Sequence, residues 1–170
     1  MFTVFNGGKA IGSKVKFSRF YIILNVKAQE SVDVSDLYYK ISMAVKKSVE
    51  SHKLGINAFK ANQSGAYFNA LENVNETYKL LEDAINQTNI NTQDRKILTI
   101  GINADSQSSY LAEQEKYDIE GPKNLFDQTM LADWFVKMAQ DHPLLTYIED
   151  PFAEGDVLGY QKILRRFKDT

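Results

Sequence analysis

Apolar residues recur with two different periods along these 170 residues, and the changes of period divide the chain into elements. Phe2 to Phe5 and the run from Val15 to Val26, with Phe17, Phe20, Tyr21, Ile22, Ile23 and Leu24, are rich in β-forming side chains. They predict strands near 2–6 and 15–26. Asn6-Gly7-Gly8 between them is a turn signal with two residues free to take positive φ. From Ser35 to Ser51 the period lengthens. Leu37, Ile41, Val45 and Val49 return every fourth position, which predicts a helix capped by Ser35. A loop with Gly55, Asn57, Asn62, Ser64 and Gly65 precedes a second helix over 72–86, with Val74, Tyr78, Leu81 and Ile85 on one stripe. Ile97 to Ile102 is a short apolar run that suits a buried parallel strand covered on both faces. Residues 104–124 are mostly polar and end at Gly121-Pro122, so they read as a long loop with room for a small hairpin. Asp127 caps a third helix, with Leu131, Trp134, Phe135 and Met138 inward. Leu144 to Ile148 is the next strand, and residues 157–167 form a last helix with Tyr160, Leu164 and Phe167 on one face.

The order is therefore ββααβαβα. The strand–helix alternation of its later part argues for an α/β fold, a parallel sheet with helices outside. Composition changes this little: 44% hydrophobic and 25% charged residues are ordinary for a soluble globular chain. A formal net charge of -2 gives no reason to expect nucleic acid or an anionic membrane as partner. The lack of cysteine excludes disulfides and thiolate chemistry and fits a reducing compartment. No signal peptide and no run of membrane-spanning length is present, so the cytoplasm, or a cytosolic assembly, is the expected location.

The candidate chemistry begins at Glu149-Asp150, where the strand read over 144–148 ends. Barrel enzymes place ligands at the C-terminal tips of parallel strands, and a carboxylate there suits a hard cation such as Mg²⁺. An acidic pair alone more often caps an element and faces water. Its surroundings argue further: Tyr147-Ile148-Glu149-Asp150-Pro151-Phe152-Ala153-Glu154-Gly155-Asp156 resembles the S-I-E-D-P-F-A-E-D-D segment of enolase (phosphopyruvate hydratase). Phe5-Asn6-Gly7-Gly8 followed by Phe20-Tyr21-Ile22 resembles that family's L-N-G-G-S-H-A…Q-E-F-M-I. Asn62 to Asn69 lies where the family carries D-E-G-G-x-A-P-N, and Ile100-Gly101-Ile102-Asn103 matches I-G-L-D.

This resemblance implies a fold and a set of losses. The fold is a partial enolase-type, TIM-like barrel: residues 1–170 stand as its first half, with the N-terminal capping domain and second barrel half absent. The family dehydrates 2-phosphoglycerate to phosphoenolpyruvate with Mg²⁺, a base and a glutamic acid. Its histidine falls on Ala10, an acidic residue on Arg19, its general acid on Gln63 and a metal-ligating aspartate on Asn103. No catalytic group is thereby retained, since an amide has no proton to give at neutral pH. Asn103 replaces a charged ligand with a neutral carbonyl, and Glu149 is the remnant metal carboxylate. At about 6 Å and an effective dielectric near 20, Arg19 and Mg²⁺ would repel by roughly 5 kcal/mol unless Arg19 turns away or pairs with Glu149.

The expectation is a pseudoenzyme, without a cofactor unless some family function keeps Mg²⁺, in a structural role. Analogy with enolase-like proteins of cilia and flagella suggests a cytoskeletal or ciliary assembly. The alternative is part of an active magnesium-dependent enolase, and a third reading has Lys9, Lys14 and Arg19 holding an anion. A half-barrel also leaves strand edges and an apolar inner face that a protein partner or second copy must cover. Met43 and Met138 are expected in the core, and His52 and His142 at the surface or at helix C-termini.

Overall fold

The computed structural model describes residues 1–25, 33–63, 65–88 and 97–168. Val26, the end of the second strand as read above, and Ser64 lie outside the described residues. The elements run β1 (Phe2–Asn6), β2 (Arg19–Leu24), α1 (Val34–Ser51), β3 (Tyr67–Phe68), α2 (Val74–Gln87), β4 (Leu98–Asn103), α3 (Ser106–Ser109), β5 (Tyr110–Leu111), β6 (Lys116–Tyr117), α4 (Gln128–Asp141), β7 (Leu145–Glu149) and α5 (Val157–Lys168). Two single 3-10 turns, Lys9–Ile11 and Ile56–Ala58, lie in loops.

Five strands form one mixed sheet in the order β3-β1-β2-β4-β7, while β5 and β6 make a separate hairpin. β4 and β7 are parallel, as are β1 and β3; β2 is antiparallel to both β1 and β4. The parallel arrangement expected of the later strands thus holds between β4 and β7, and the earlier part is a hairpin. Because only β2 runs against the others, the C-terminal tips of β1, β3, β4 and β7 share one edge with the start of β2. Loops 7–18, 104–127 and 150–156 leave from that edge.

The face of the sheet under the helices takes Phe5, Phe20, Ile22, Ile100 and Ile102, all fully buried. Ile41, Val45 and Val49 of α1 and Tyr78, Leu81 and Ile85 of α2 meet them, as the spacing predicts. Leu131, Phe135 and Met138 of α4 are buried too, while Trp134 is half-buried and donates its indole N–H to Glu120 at 2.8 Å. Burying side chains of this size is worth about 1.5–3 kcal/mol each before entropy is charged against it.

Several local expectations are corrected. The cap of α1 is Asp33, which accepts from the N–H groups of Ser35 and Asp36, so Ser35 lies inside the first turn. Val15 and Phe17 are buried without belonging to a strand; the chain there is held by isolated bonds, Gly8 N–H to Val15 O, Gly7 N–H to Ser18 O and Ser18 N–H to Asn103 O, and by no continuous ladder. Gly8 does adopt φ of 88°, but Gly7 serves another need: a Cβ there would sit 2.4 Å from the Phe17 carbonyl oxygen. Met43 is 44% exposed rather than in the core. The stripe of α5 is also exposed, with only Gly159 and Ile163 of that helix buried.

The opposite face of the sheet is not the apolar surface expected of an open half-barrel. It carries Arg19, Tyr21, Ile23, Thr99, Gly101, Asn103, Tyr147 and Glu149. Their common side follows from contacts: a Cβ on Gly101 would meet Ile23 at 3.0 Å and Tyr147 at 3.1 Å, and the Tyr21 hydroxyl reaches Glu149. Alternation along each strand sends Phe20, Ile22, Ile100 and Ile102 to the helix side and leaves, beside Ile23 and Gly101, polar and tyrosyl groups here.

Candidate functional site at the strand tips

Register builds the site. Asn6 pairs with Arg19, Arg19 with Asn103, and Asn103 with Glu149. These four residues form one row across β1, β2, β4 and β7, on the face just described and at the edge where the strands end. Residues directly opposite on paired strands have neighbouring side chains, so Arg19, Asn103 and Glu149 lie side by side.

Each member has a specific role. The Tyr21 hydroxyl donates to Glu149 Oε2 at 3.1 Å. Burial raises the pKa of Tyr21; Arg19, beside the same hydroxyl, lowers it, and Glu149 raises it again, so the group stays protonated and able to donate. Tyr21 therefore bridges the cation and the carboxylate, and among the described residues Arg19 makes no salt bridge with Glu149. Asn103 Oδ1 accepts from the N–H of Asp105 at 2.8 Å, a local turn that holds Asp105 at φ of 46°. Its carbonyl is thus directed at the backbone.

Glu149 and Asp150 part company. Asp150 has φ of 49° and borders the groove beside α5, while its carbonyl accepts from Ser106 N–H at 3.1 Å. The adjacent pair in the sequence is not a pair of neighbouring carboxylates facing one ligand.

Two expected members lie elsewhere. Ala10 is exposed in the 3-10 turn of the loop that leaves β1 at this edge. Gln63 sits in the turn between Asn62 and Ala66, which leads into β3 from its N-terminal side. Gly65 of that turn borders Phe2 and Thr3, at the other end of β1 from Asn6. The structure therefore does not bring Gln63 to the row. The anion-holding cluster is dispersed as well, since Lys14 pairs with Glu72 at 2.6 Å.

Residues 1–170 match the model of the enolase C-terminal TIM barrel domain. The chain belongs to the enolase family. The enolase of Methanococcus aeolicus is 25% identical over 168 residues, covering 99% of this chain and 37% of that protein. The enolase of Sulfurisphaera tokodaii is 28% identical over 172 residues, with 100% and 38% covered. Enolase B of Dictyostelium discoideum is 26% identical over 173 residues, with 95% and 37% covered. The chain thus spans less than two-fifths of the length of these enolases.

The Mg²⁺ implied by the enolase family does not suit this donor set. A hard cation wants several oxygen ligands and tolerates no fixed positive charge among them. Here Arg19 stands in the row, Asn103 turns its oxygen to a backbone N–H, and Glu149 alone is anionic. Among the described residues no three His, Cys, Asp or Glu side chains are grouped to hold a metal ion. Also among them, no helix is long and apolar enough to cross a membrane.

Sequence reasoning missed Asn69, which lies at the same edge and is fully buried. Its N–H donates to Asn6 O at 2.7 Å, its side-chain amide donates to Thr77 Oγ1 at 3.0 Å, and its Oδ1 accepts from Leu71 N–H. Ser13 Oγ donates to its carbonyl. One side chain thus ties the end of β3 to α2. Asn69→Ala strands a buried N–H and should cost about 2 kcal/mol in urea unfolding; a loss below about 0.5 kcal/mol would show that the knot is dispensable. Signals for it were thin, because a lone Asn before a helix reads as a cap. His52 and His142 do end helices: His52 stands edge-on to Phe59, and His142 stacks on Tyr78 at 4.4 Å.

Proposed function

We propose that this chain is a non-catalytic enolase relative whose former magnesium position is closed by an internal cation, and that its role is structural, as a component of a larger assembly. The observation that carries the reading is the row itself. Arg19 lies in register between Asn6 and Asn103, and Tyr21 places its hydroxyl between that guanidinium and Glu149. A positive charge supplied by the chain takes up the field of Glu149 that a divalent ion would otherwise need. Gln63 in its remote turn offers no general acid to this edge. Nothing in the fold or in the relatives points to a cilium.

Purified chain supplied with 2-phosphoglycerate and Mg²⁺ is expected to form no phosphoenolpyruvate above a protein-free blank, followed by ultraviolet absorbance. Turnover that disappears on adding a chelator would overturn the reading.

A further inference from the structure

The row at the strand tips carries more hydrogen-bond donors than its own acceptors use. Asn103 Oδ1 accepts from the N–H of Asp105. A backbone N–H only donates, so this bond fixes the amide, with its oxygen toward the turn and its NH2 away from it. Among the described residues neither that NH2 nor the Asn6 side chain has a hydrogen-bond partner, and Arg19 forms no salt bridge. Arg19 stands between the two amides in register, Asn6 on β1 to one side and Asn103 on β4 to the other. Its guanidinium lies against the Tyr21 hydroxyl, whose one proton goes to Glu149. The strands concerned, β1, β2 and β4, are each paired on both sides within the five-stranded sheet. The row therefore owes nothing to where the sheet ends, and strand tips stay open at the mouth of a closed barrel as well.

We infer that this row binds a small organic acid by its carboxylate, with Arg19 taking the group by its guanidinium fork and Asn6 and Asn103 each adding an amide N–H. A guanidinium matches a carboxylate in two parallel, charge-assisted hydrogen bonds. Opposed residues on paired strands have Cα atoms about 4.5–5.5 Å apart, so amides on either side reach the outer lone pairs of the same group. The three donors lie along one line, which suits a planar ligand. A tetrahedral phosphate needs donors converging from several directions, and the lysines near Gly7-Gly8 do not supply them, since Lys14 is held by Glu72. Glu149 lies two strands from Arg19 and accepts from Tyr21, so its repulsion sets the bound carboxylate toward the Asn6 side of the guanidinium. A position that holds a cation in the family thus takes an anion here. The inference rests on the placement of Arg19 that carries the non-catalytic reading, and it is read out by binding without turnover.

Sodium acetate titrated into the full chain at constant ionic strength, followed by ¹⁵N NMR, should move the side-chain NH2 signals of Asn6 and Asn103 and the backbone amide of Arg19 together. The shifts should saturate with a Kd of about 1–10 mM, weak because the site is open. Sodium chloride should move none of them, and inorganic phosphate, despite its larger charge, should bind no more tightly than acetate. Arg19→Gln should abolish the response. Arg19→Lys keeps the charge but loses the fork and should weaken binding about fivefold. Asn103→Asp keeps the bond to Asp105 N–H and should also abolish binding. Arg19 is exposed, so an otherwise unchanged spectrum checks that the fold survives. Shifts that do not saturate, shifts reproduced by chloride, or binding that survives Arg19→Gln would sink the inference, as would phosphate binding more tightly than acetate. None of these results touches the phosphoenolpyruvate assay, which decides the non-catalytic reading by itself.

Discussion

Arg19→Glu combined with Asn103→Asp is expected to create a divalent-cation site that the natural chain does not offer. The two changes turn a row with one cation and one anion into three carboxylates on adjacent strands, β2, β4 and β7. Removing Arg19 lifts the repulsion of an incoming ion, and water already screens part of it because Arg19 is exposed. The second change keeps the local turn, since an aspartate at 103 accepts from Asp105 N–H as the asparagine does. Titration with Mn²⁺ or Mg²⁺ should show affinity at least a hundredfold above the natural chain, roughly 2.7 kcal/mol. The metal-free variant should also be less stable than its parent, because three carboxylates repel, and metal should restore the loss by binding only the folded state. Single variants separate the contributions: Arg19→Glu should contribute more, since it changes the local charge by two units. Equal and tight binding by parent and double variant would remove the argument that Arg19 replaces the ion. Tight binding by the parent that is lost on Glu149→Gln would do the same.

How much of this was legible depends on the range over which each residue acts. Helices α1, α2 and α4 announce themselves because Ile41, Val45 and Val49, or Tyr78, Leu81 and Ile85, face one core within their own element. The row of Arg19, Asn103 and Glu149 was also within reach. The resemblance picked out each position; Asn103 and Glu149 end their strands, whereas Arg19 lies inside the run read over 15–26 and starts β2. Gln63 was not, because nothing in Asn-Gln-Ser-Gly says to which end of a two-residue strand the turn projects. Val15 and Phe17 misled for a related reason: β-forming side chains buried under a loop look like the start of a strand. The stripe of α5 was read correctly as a stripe, but periodicity cannot say whether it faces the core or another molecule. Asp156 was seen only as one more acid, although its main partner lies 39 residues earlier.

Asp156 is a polar side chain whose loss should cost as much stability as truncating a buried apolar one. Asp156 precedes α5 and accepts from Gly159 N–H at 2.9 Å, which caps the helix. It also accepts from Gln128 Nε2 at 2.9 Å, at the start of α4, and from the Tyr117 hydroxyl at 2.5 Å, on β6. Tyr117 is fully buried, and its hydroxyl accepts in turn from Ala153 N–H. Burial, then the bond to Asp156, raise the tyrosine's pKa above its ordinary value, so it stays protonated and donates to Asp156 at neutral pH. Asp156→Ala breaks three hydrogen bonds at once, to two helix starts and a hairpin. A cap is worth about 1 kcal/mol and hydrogen bonds to a charged acceptor about 1.5–3 kcal/mol, and such terms overlap, so a total of about 3–4 kcal/mol is expected. For a chain of this length that lowers Tm by roughly 6–16 °C. Asp156→Asn, which keeps the cap acceptor but not the charge, should lose about half as much. Tyr117→Phe should be less harmful in the Asp156→Ala background than alone, by about 1–2 kcal/mol, because the pair is already broken. Additive losses in that cycle would mean that β6 is held by its aromatic packing on Phe152 and Tyr110, and that the carboxylate does no more than cap α5.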